Sequence, residues 1–210
     1  MNMDLYQKIE QQLKLEKGIP FTPDWSAAPD FIELIVEHAL TTKPQVIVEC
    51  SSGLTTLVLA RCCQMSGRGH VYSLENGPEY AAKTRSYFER YGVDDYVTVI
   101  DAPLESVTIN GTDYQWYRTT ELFEQLPADS IEMLVIDGPP GFIQKNSRYP
   151  ALPQLEEKIA DHCTVFLDDA AREDEREIVQ LWQNELRGIE SRYIDAERGC
   201  AVLTMTRALV

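Results

Sequence analysis

The stretch Val46-Ile47-Val48-Glu49-Cys50-Ser51-Ser52-Gly53-Leu54-Thr55-Thr56 decides the fold. Val46–Cys50 is a compact β-branched run, as in a strand covered on both faces. An acid stands near its end. Ser51, Ser52 and Gly53 then let the backbone turn tightly, and Leu54–Met65 reads as a helix. A strand, a tight turn and a helix make the opening unit of an α/β sheet, with free N–H groups at the start of the helix.

Outward from this unit the alternation repeats. Val71–Leu74 reads as a strand and Glu79–Tyr91 as a helix, with Tyr80, Thr84, Tyr87, Phe88 and Tyr91 along one stripe. Val97–Asp101, Met133–Asp137 and Thr164–Leu167 read as further strands. Leu152–Ala160 and Arg172–Leu186 read as helices, the latter with Ile178, Leu181 and Trp182 inward. Ile189–Ile194 and Ala201–Met205 flank Gly199 as a terminal hairpin. The whole predicts a doubly wound, Rossmann-like, mostly parallel sheet with helices on both faces. Residues 1–210 are expected to form one domain. Residues 1–24 supply an N-terminal helix and the start of a Pro-rich connector, Gly18–Pro29. Residues 104–130, with an Asn110-Gly111 turn, supply a β-hairpin insertion.

Composition narrows the function. With 34 Asp and Glu against 19 Lys and Arg, the net charge is −15. That balance opposes general nucleic-acid or anionic-membrane binding, which needs a basic surface. No apolar run approaches a bilayer span, and the N-terminus lacks the apolar block of a signal peptide, so a cytoplasmic protein is expected. The five cysteines form no C-x-x-C pair and read as buried free thiols. Leu5, Ile9 and Leu13 form an apolar helical stripe that suits either the chain's own sheet or a homodimer partner.

Ligands of open α/β sheets bind beyond the carboxyl ends of the strands. Five successive strand ends carry acids there: Glu49, Glu75 followed by Asn76, Asp101 followed by Ala102, Asp137, and the pair Asp168-Asp169. Each alone could be a helix cap. Five in register point to a ligand that is cationic or carries a diol. The dinucleotide fingerprint G-x-G-x-x-G and the phosphate loop G-x-x-x-x-G-K-[ST] are both absent.

This order of residues resembles the class I S-adenosylmethionine-dependent methyltransferases, over roughly Trp25 to Met205. Ser51 and Thr55 stand where that family's glycines usually do. The resemblance implies a seven-stranded sheet ending in an antiparallel hairpin, with S-adenosylmethionine as cofactor. It implies that Glu49, Ser51, Ser52, Gly53 and Thr55 hold the methionine portion. Glu75 and Asn76 would bind the ribose, and Asp101 with Ala102 the adenine. Asp137 would stand beside the cofactor. The segments IDGPPG (from Ile136), RYPALPQL (from Arg148) and FLDDAAREDE (from Phe166) resemble the bacterial methyltransferase 24-like group.

The resemblance further implies transfer to a small-molecule acceptor, most simply at oxygen. Asp137, Asp168 and Asp169 are similar to the oxygen ligands of catechol-type, metal-dependent O-methyltransferases. Carboxylates converging in one cleft repel unless a cation or protons intervene, and an oxygen-only set suits Mg²⁺ or another hard divalent ion. Asp137, Arg148 and Asp168 are the candidate catalytic residues. Asp137 positions or deprotonates the acceptor, while Arg148 or Lys145 holds an anionic group on it. Arg148 also has a structural reading, as an ion pair with an acid such as Asp169. Trp25, Trp116, Tyr117 and Tyr149 are candidates for the acceptor wall. Two alternatives stand beside this reading: a Rossmann-type nucleotide-binding oxidoreductase, and a non-catalytic binding subunit that keeps the methyltransferase fold.

Overall fold

The computed structural model describes residues 3–22 and 26–206. Trp25, named above for the acceptor wall, lies outside them. The central sheet is built from β1 (Val46–Cys50), β2 (His70–Glu75), β3 (Val97–Asp101), β6 (Ile131–Ile136), β7 (Ile159–Asp168), β8 (Ile189–Ile194) and β9 (Cys200–Thr206). Its spatial order is β3-β2-β1-β6-β7-β9-β8. The pairs from β3 through β7 are parallel; β9 runs antiparallel to both β7 and β8. The order reverses between β1 and β6, and a reversal of this kind opens a crevice at the carboxyl ends of the two strands.

Neighbouring residues of each central strand serve opposite cores. Ile47, Val71, Val99, Met133 and Phe166 join one, under α1 (Met3–Leu13), α2 (Pro29–Thr42), α3 (Leu54–Ser66) and α4 (Pro78–Tyr91). Val48, Leu74, Ile100, Leu134 and Leu167 join the other. That second core is covered by the hairpin β4 (Leu104–Ile109) and β5 (Thr112–Tyr117), and by α5 (Thr120–Gln125), α6 (Ala151–Leu155) and α7 (Glu173–Glu185). Trp116 and Trp182 are completely buried there. Trp182 donates its indole N–H to the Tyr149 carbonyl at 2.9 Å, which ties α7 to the loop after β6.

Local chemistry sets several boundaries. Prolines occupy the first turns of α2 and α4, where a missing N–H costs nothing. Gly67 and Gly92 end α3 and α4 in left-handed backbone. Asn110 and Gly111 both have positive φ, as a two-residue hairpin turn needs. Ile9 and Leu13 of α1 pack on α2 and α3 of their own chain.

The structure departs from the sequence reading at several places, among them helix α5, which lies inside the span read as a β-hairpin insertion. Helix α2 was not assigned from sequence, although Phe31, Ile32, Ile35, Val36 and Ala39 make its buried face. The helix expected over Leu152–Ala160 stops at Leu155, and the chain is already strand at Ile159. The reason is Lys158, a buried cation that donates to the Leu126 carbonyl at 2.8 Å and pins the chain as it leaves a 3₁₀ turn. Strand β7 therefore begins well before Thr164. On α4 the buried stripe is Ala81, Thr84 and Phe88, with Tyr80 turned outward.

Candidate active site

The loop after β1 is organised from beneath by Glu49, which is completely buried. Its carboxylate accepts from the Thr55 hydroxyl, from the Thr56 hydroxyl at 2.6 Å and, more loosely, from Ser51 at 3.5 Å. Thr56 in turn accepts from the Gly53 N–H at 2.9 Å. Burial pushes the Glu49 carboxyl up to about 7, against the pull of the two threonine hydroxyls; the Asp137 and Glu75 charges push the same way. Gly53 has φ 139° and Ser51 has φ 145°, a conformation that glycine adopts far more easily than serine. Ser51→Gly is therefore expected to stabilise the fold by about 1 kcal/mol, checked by urea unfolding.

Beyond β2, the Glu75 carboxylate accepts from the Ser52 hydroxyl at 2.6 Å and from the Gly77 N–H at 2.8 Å. Burial raises its pKa, opposed by these bonds. Ser52 also meets the Thr84 hydroxyl at 3.0 Å, so α4, β2 and the first loop share one polar seam. Asp101, next to Glu75 in register, is exposed and pairs with Arg85 at 2.9 Å. The Ala102 side chain is buried and its N–H is bonded to the Glu75 carbonyl at 2.8 Å. Asn76 follows and is half-buried.

Asp137 stands one residue past β6, at the reversal of strand order. Its N–H donates to the Cys50 carbonyl at 3.1 Å, joining the loops after β1 and β6. It lines two cavities at once. One is the narrow cleft shared with Ser52, Gly53, Thr55 and Thr84, and the other is the wider cleft bounded by Gly141, Phe142, Arg172 and Arg198. Gly138 passes close by: a Cβ there would fall on the Tyr117 hydroxyl and within 3.1 Å of the Cys50 carbonyl. Glycine lets this loop lie directly on the hairpin.

At the end of β7, Asp168 is almost wholly buried; one oxygen accepts the Asp169 N–H at 2.7 Å and the other has no hydrogen-bond partner. Asp169 accepts from Arg148 and Arg172, both at 2.9 Å. Arg148 reaches Asp137 Oδ1 at 3.2 Å and the backbone carbonyls of Asp137 and Asp168 at 2.9 Å. Desolvation by burial pushes the Asp137 carboxyl up to about 6; Arg148 pulls it down and Asp169 pushes it up.

Residues 48–170 match the family model described as a methyltransferase domain, methyltransferase 24. The chain belongs to this methyltransferase family. No curated protein sequence matches it. Among solved structures it is similar to an SAH-bound methyltransferase of Podospora anserina, with TM-score 0.67 and 15% identity over 98% of this chain and 88% of that one. It is also similar to an O-methyltransferase of Bacillus cereus in complex with SAH, with TM-score 0.66 and 14% identity over 97% and 91%. A SAM-bound O-methyltransferase of Streptomyces achromogenes aligns with TM-score 0.65 and 14% identity over 97% and 90%. The family match leaves the oxidoreductase alternative without support.

Within this methyltransferase four of the expected cofactor residues line one cleft. They are Ser52, Gly53, Thr55 and Asp137, and Glu75 meets the cleft through Ser52; Asp101 lies beside Glu75 on the neighbouring strand, outside the cleft lining. Glu49 lies underneath and acts through the loop it shapes. Thr22, Ser26 and Lys83 join the same cleft and were not singled out from sequence. Lys83 donates to Thr22 at 2.9 Å, fastening the connector over α4. The Pro-rich composition of that connector was the available signal.

On the acceptor side several expectations fail. Lys145 is an exposed partner of Glu177 at 2.7 Å, set on α7 by a simple surface ion pair. Trp116 and Tyr149 are core residues; the Tyr149 hydroxyl is engaged by Glu185 and Asn110. Tyr117 is buried under Gly138. Asp137, Asp168 and Asp169 do converge, with one oxygen of each within 4.8 Å of the others. As a seat for a divalent ion, however, the set does not fit as it stands. One oxygen of Asp137 and one of Asp169 are already bridged by Arg148, and Asp168 does not line the wider cleft. Among the described residues no helix is long and apolar enough to cross a membrane.

Proposed function

We propose that this methyltransferase uses S-adenosylmethionine to methylate a hydroxyl of a small acceptor. The observation that carries this reading is the position of Asp137, a carboxylate shared by the first-loop cleft and the wider cleft beside it. A group so placed can touch an acceptor while a methyl donor lies along the first loop. S-adenosylmethionine supplies a methyl group on a sulfonium, already activated for in-line displacement. The chain's own task is then to place and deprotonate the acceptor. The Glu75 carboxylate suits a ribose diol, since it accepts hydrogen bonds only. The exposed Asp101 suits an adenine amino group. Several structural neighbours are named as O-methyltransferases, which supports oxygen as the acceptor atom.

Isothermal calorimetry with S-adenosylhomocysteine tests the cofactor half. Wild-type protein is expected to bind, and Glu75→Ala is expected to bind about 10- to 100-fold more weakly, the loss of one charge-assisted contact. No binding of either S-adenosylmethionine or S-adenosylhomocysteine to wild-type protein rejects the proposal. A screen of phenols, sugar hydroxyls and small hydroxy acids with labelled methyl donor then tests the acceptor half.

A further inference from the structure

Four carboxyl groups crowd the space beyond β6 and β7: Asp137, Asp168, Asp169 and Glu175. Like charges at this spacing must be protonated or neutralised by a cation. A cation is already built into the chain. The Arg148 side chain is 3% exposed, and its guanidinium touches three of the four acidic residues through side chain or backbone. Nη2 bridges Asp137 Oδ1 at 3.2 Å and Asp169 Oδ2 at 2.9 Å, and also meets the Asp137 carbonyl at 2.9 Å. Nη1 meets the Asp168 carbonyl at 2.9 Å and lies 3.7 Å from Glu175 Oε1. One planar fork thus ties together the ends of two strands, a task that a point-like ammonium cannot perform.

A divalent ion of the magnesium kind needs its oxygens at ~2.0–2.1 Å in near-octahedral array. Here Asp137 Oδ1 and Asp169 Oδ2 share one nitrogen, and an ion brought to these carboxylates would stand against a positive charge already among them. Arg172 adds another cation on Asp169 Oδ2 at 2.9 Å. Asp168, the third acid, is 1% exposed; one oxygen accepts the Asp169 N–H, and the other has no hydrogen-bond partner and is held in the protonated form by burial.

We propose that Arg148 takes the place of a divalent ion, so that the centre is metal-independent and the guanidinium holds Asp137 toward the acceptor. This rests on the reading of the two clefts as a methyl-transfer site. Arg148 is then a positioning residue: it acts through Asp137.

The test is a Mn²⁺ titration of chelator-stripped protein, followed by electron paramagnetic resonance and calorimetry. Wild-type protein is expected to show no stoichiometric uptake. Arg148→Met removes the charge and keeps a stem of similar reach. It is expected to bind one Mn²⁺ per chain at least about tenfold more tightly than wild type, because a repelling charge has left the acids. Adding Asp169→Asn to that variant should abolish the gain. Carboxylates whose charge Arg148 does not neutralise would give no such gain. Stoichiometric uptake by wild-type protein that Asp169→Asn removes overturns the proposal. So does an Arg148→Met protein with a native circular dichroism spectrum and no Mn²⁺ bound. If Arg148→Met does not fold, the wild-type titration decides alone. S-adenosylhomocysteine binding by the same samples reports separately on the cofactor reading.

Discussion

Asp137→Asn is expected to lower methyl transfer by about 10²- to 10⁴-fold, the usual contribution of a positioned general base. Asparagine keeps the shape of the side chain and can still accept a hydrogen bond from an acceptor hydroxyl. It cannot take the proton. The Asp137 side chain is 18% exposed, enough to meet an acceptor but not to be freely hydrated. Burial, partly offset by Arg148, pushes its carboxyl up to about 6. The base form is the active one, so the wild-type rate should rise as pH rises through about 6 and level off above it. The asparagine variant should lack that rise. Single-turnover transfer of a labelled methyl group across this pH range measures both effects. Because Asp137 also lines the first-loop cleft, S-adenosylhomocysteine affinity of the variant is measured alongside, so that lost cofactor binding is separated from lost proton transfer. A variant that keeps more than a tenth of the wild-type rate would remove Asp137 from proton transfer.

The reach of sequence reasoning here follows from where each signal is stored. Val46–Cys50 and Ile131–Ile136 are largely apolar strands, so their identity and the acids at or just past their ends, Glu49 and Asp137, sit in one short window. The Asn110-Gly111 turn is equally local, since its conformation is a property of two residues. Helix α2 has a readable stripe, but its residues lie between a Pro-rich connector and the deciding strand, and its opening Pro29 merges with that connector. The fates of Lys145 and Arg148 were not local at all. They are close in sequence and alike in charge, yet one is solvated and the other is enclosed by acids from residues 137, 169 and 175. Only the adjacency of β6 and β7, with α7 returning over them, brings those acids together. Glu49 is a similar case. Its place at a strand end was legible, but its enclosure by Thr55 and Thr56 depends on the unusual backbone at Ser51 and Gly53.

That enclosure predicts a pH-dependent stability. The Glu49 carboxyl is completely buried and raised from 4.5 to about 7 in the folded chain, with desolvation as the largest cause. In the unfolded chain it titrates near the ordinary carboxylate value. Between these two values the folded state holds a proton that the unfolded state has released. Its contribution is therefore fully present below about pH 4.5 and is lost as pH rises toward and through about 7. The size of the loss is about 3 kcal/mol, one pKa unit being worth about 1.4 kcal/mol. Other raised carboxyls, such as Asp168 and Glu75, add slopes of the same sign, so the informative quantity is a difference. Glu49→Gln has no proton to lose. Relative to wild type, it should be more stable at pH 8 than at pH 5 by about 3 kcal/mol, whatever its absolute cost from presenting an amide to two threonine hydroxyls. Urea unfolding of both proteins at the two pH values measures this. A difference that does not change with pH would mean that Glu49 is ionised throughout, with the hydroxyls of Thr55 and Thr56 offsetting its burial completely. The geometry argues otherwise: those threonines supply its two close donors, and a carboxylate stripped of water needs more than two to remain charged at low cost.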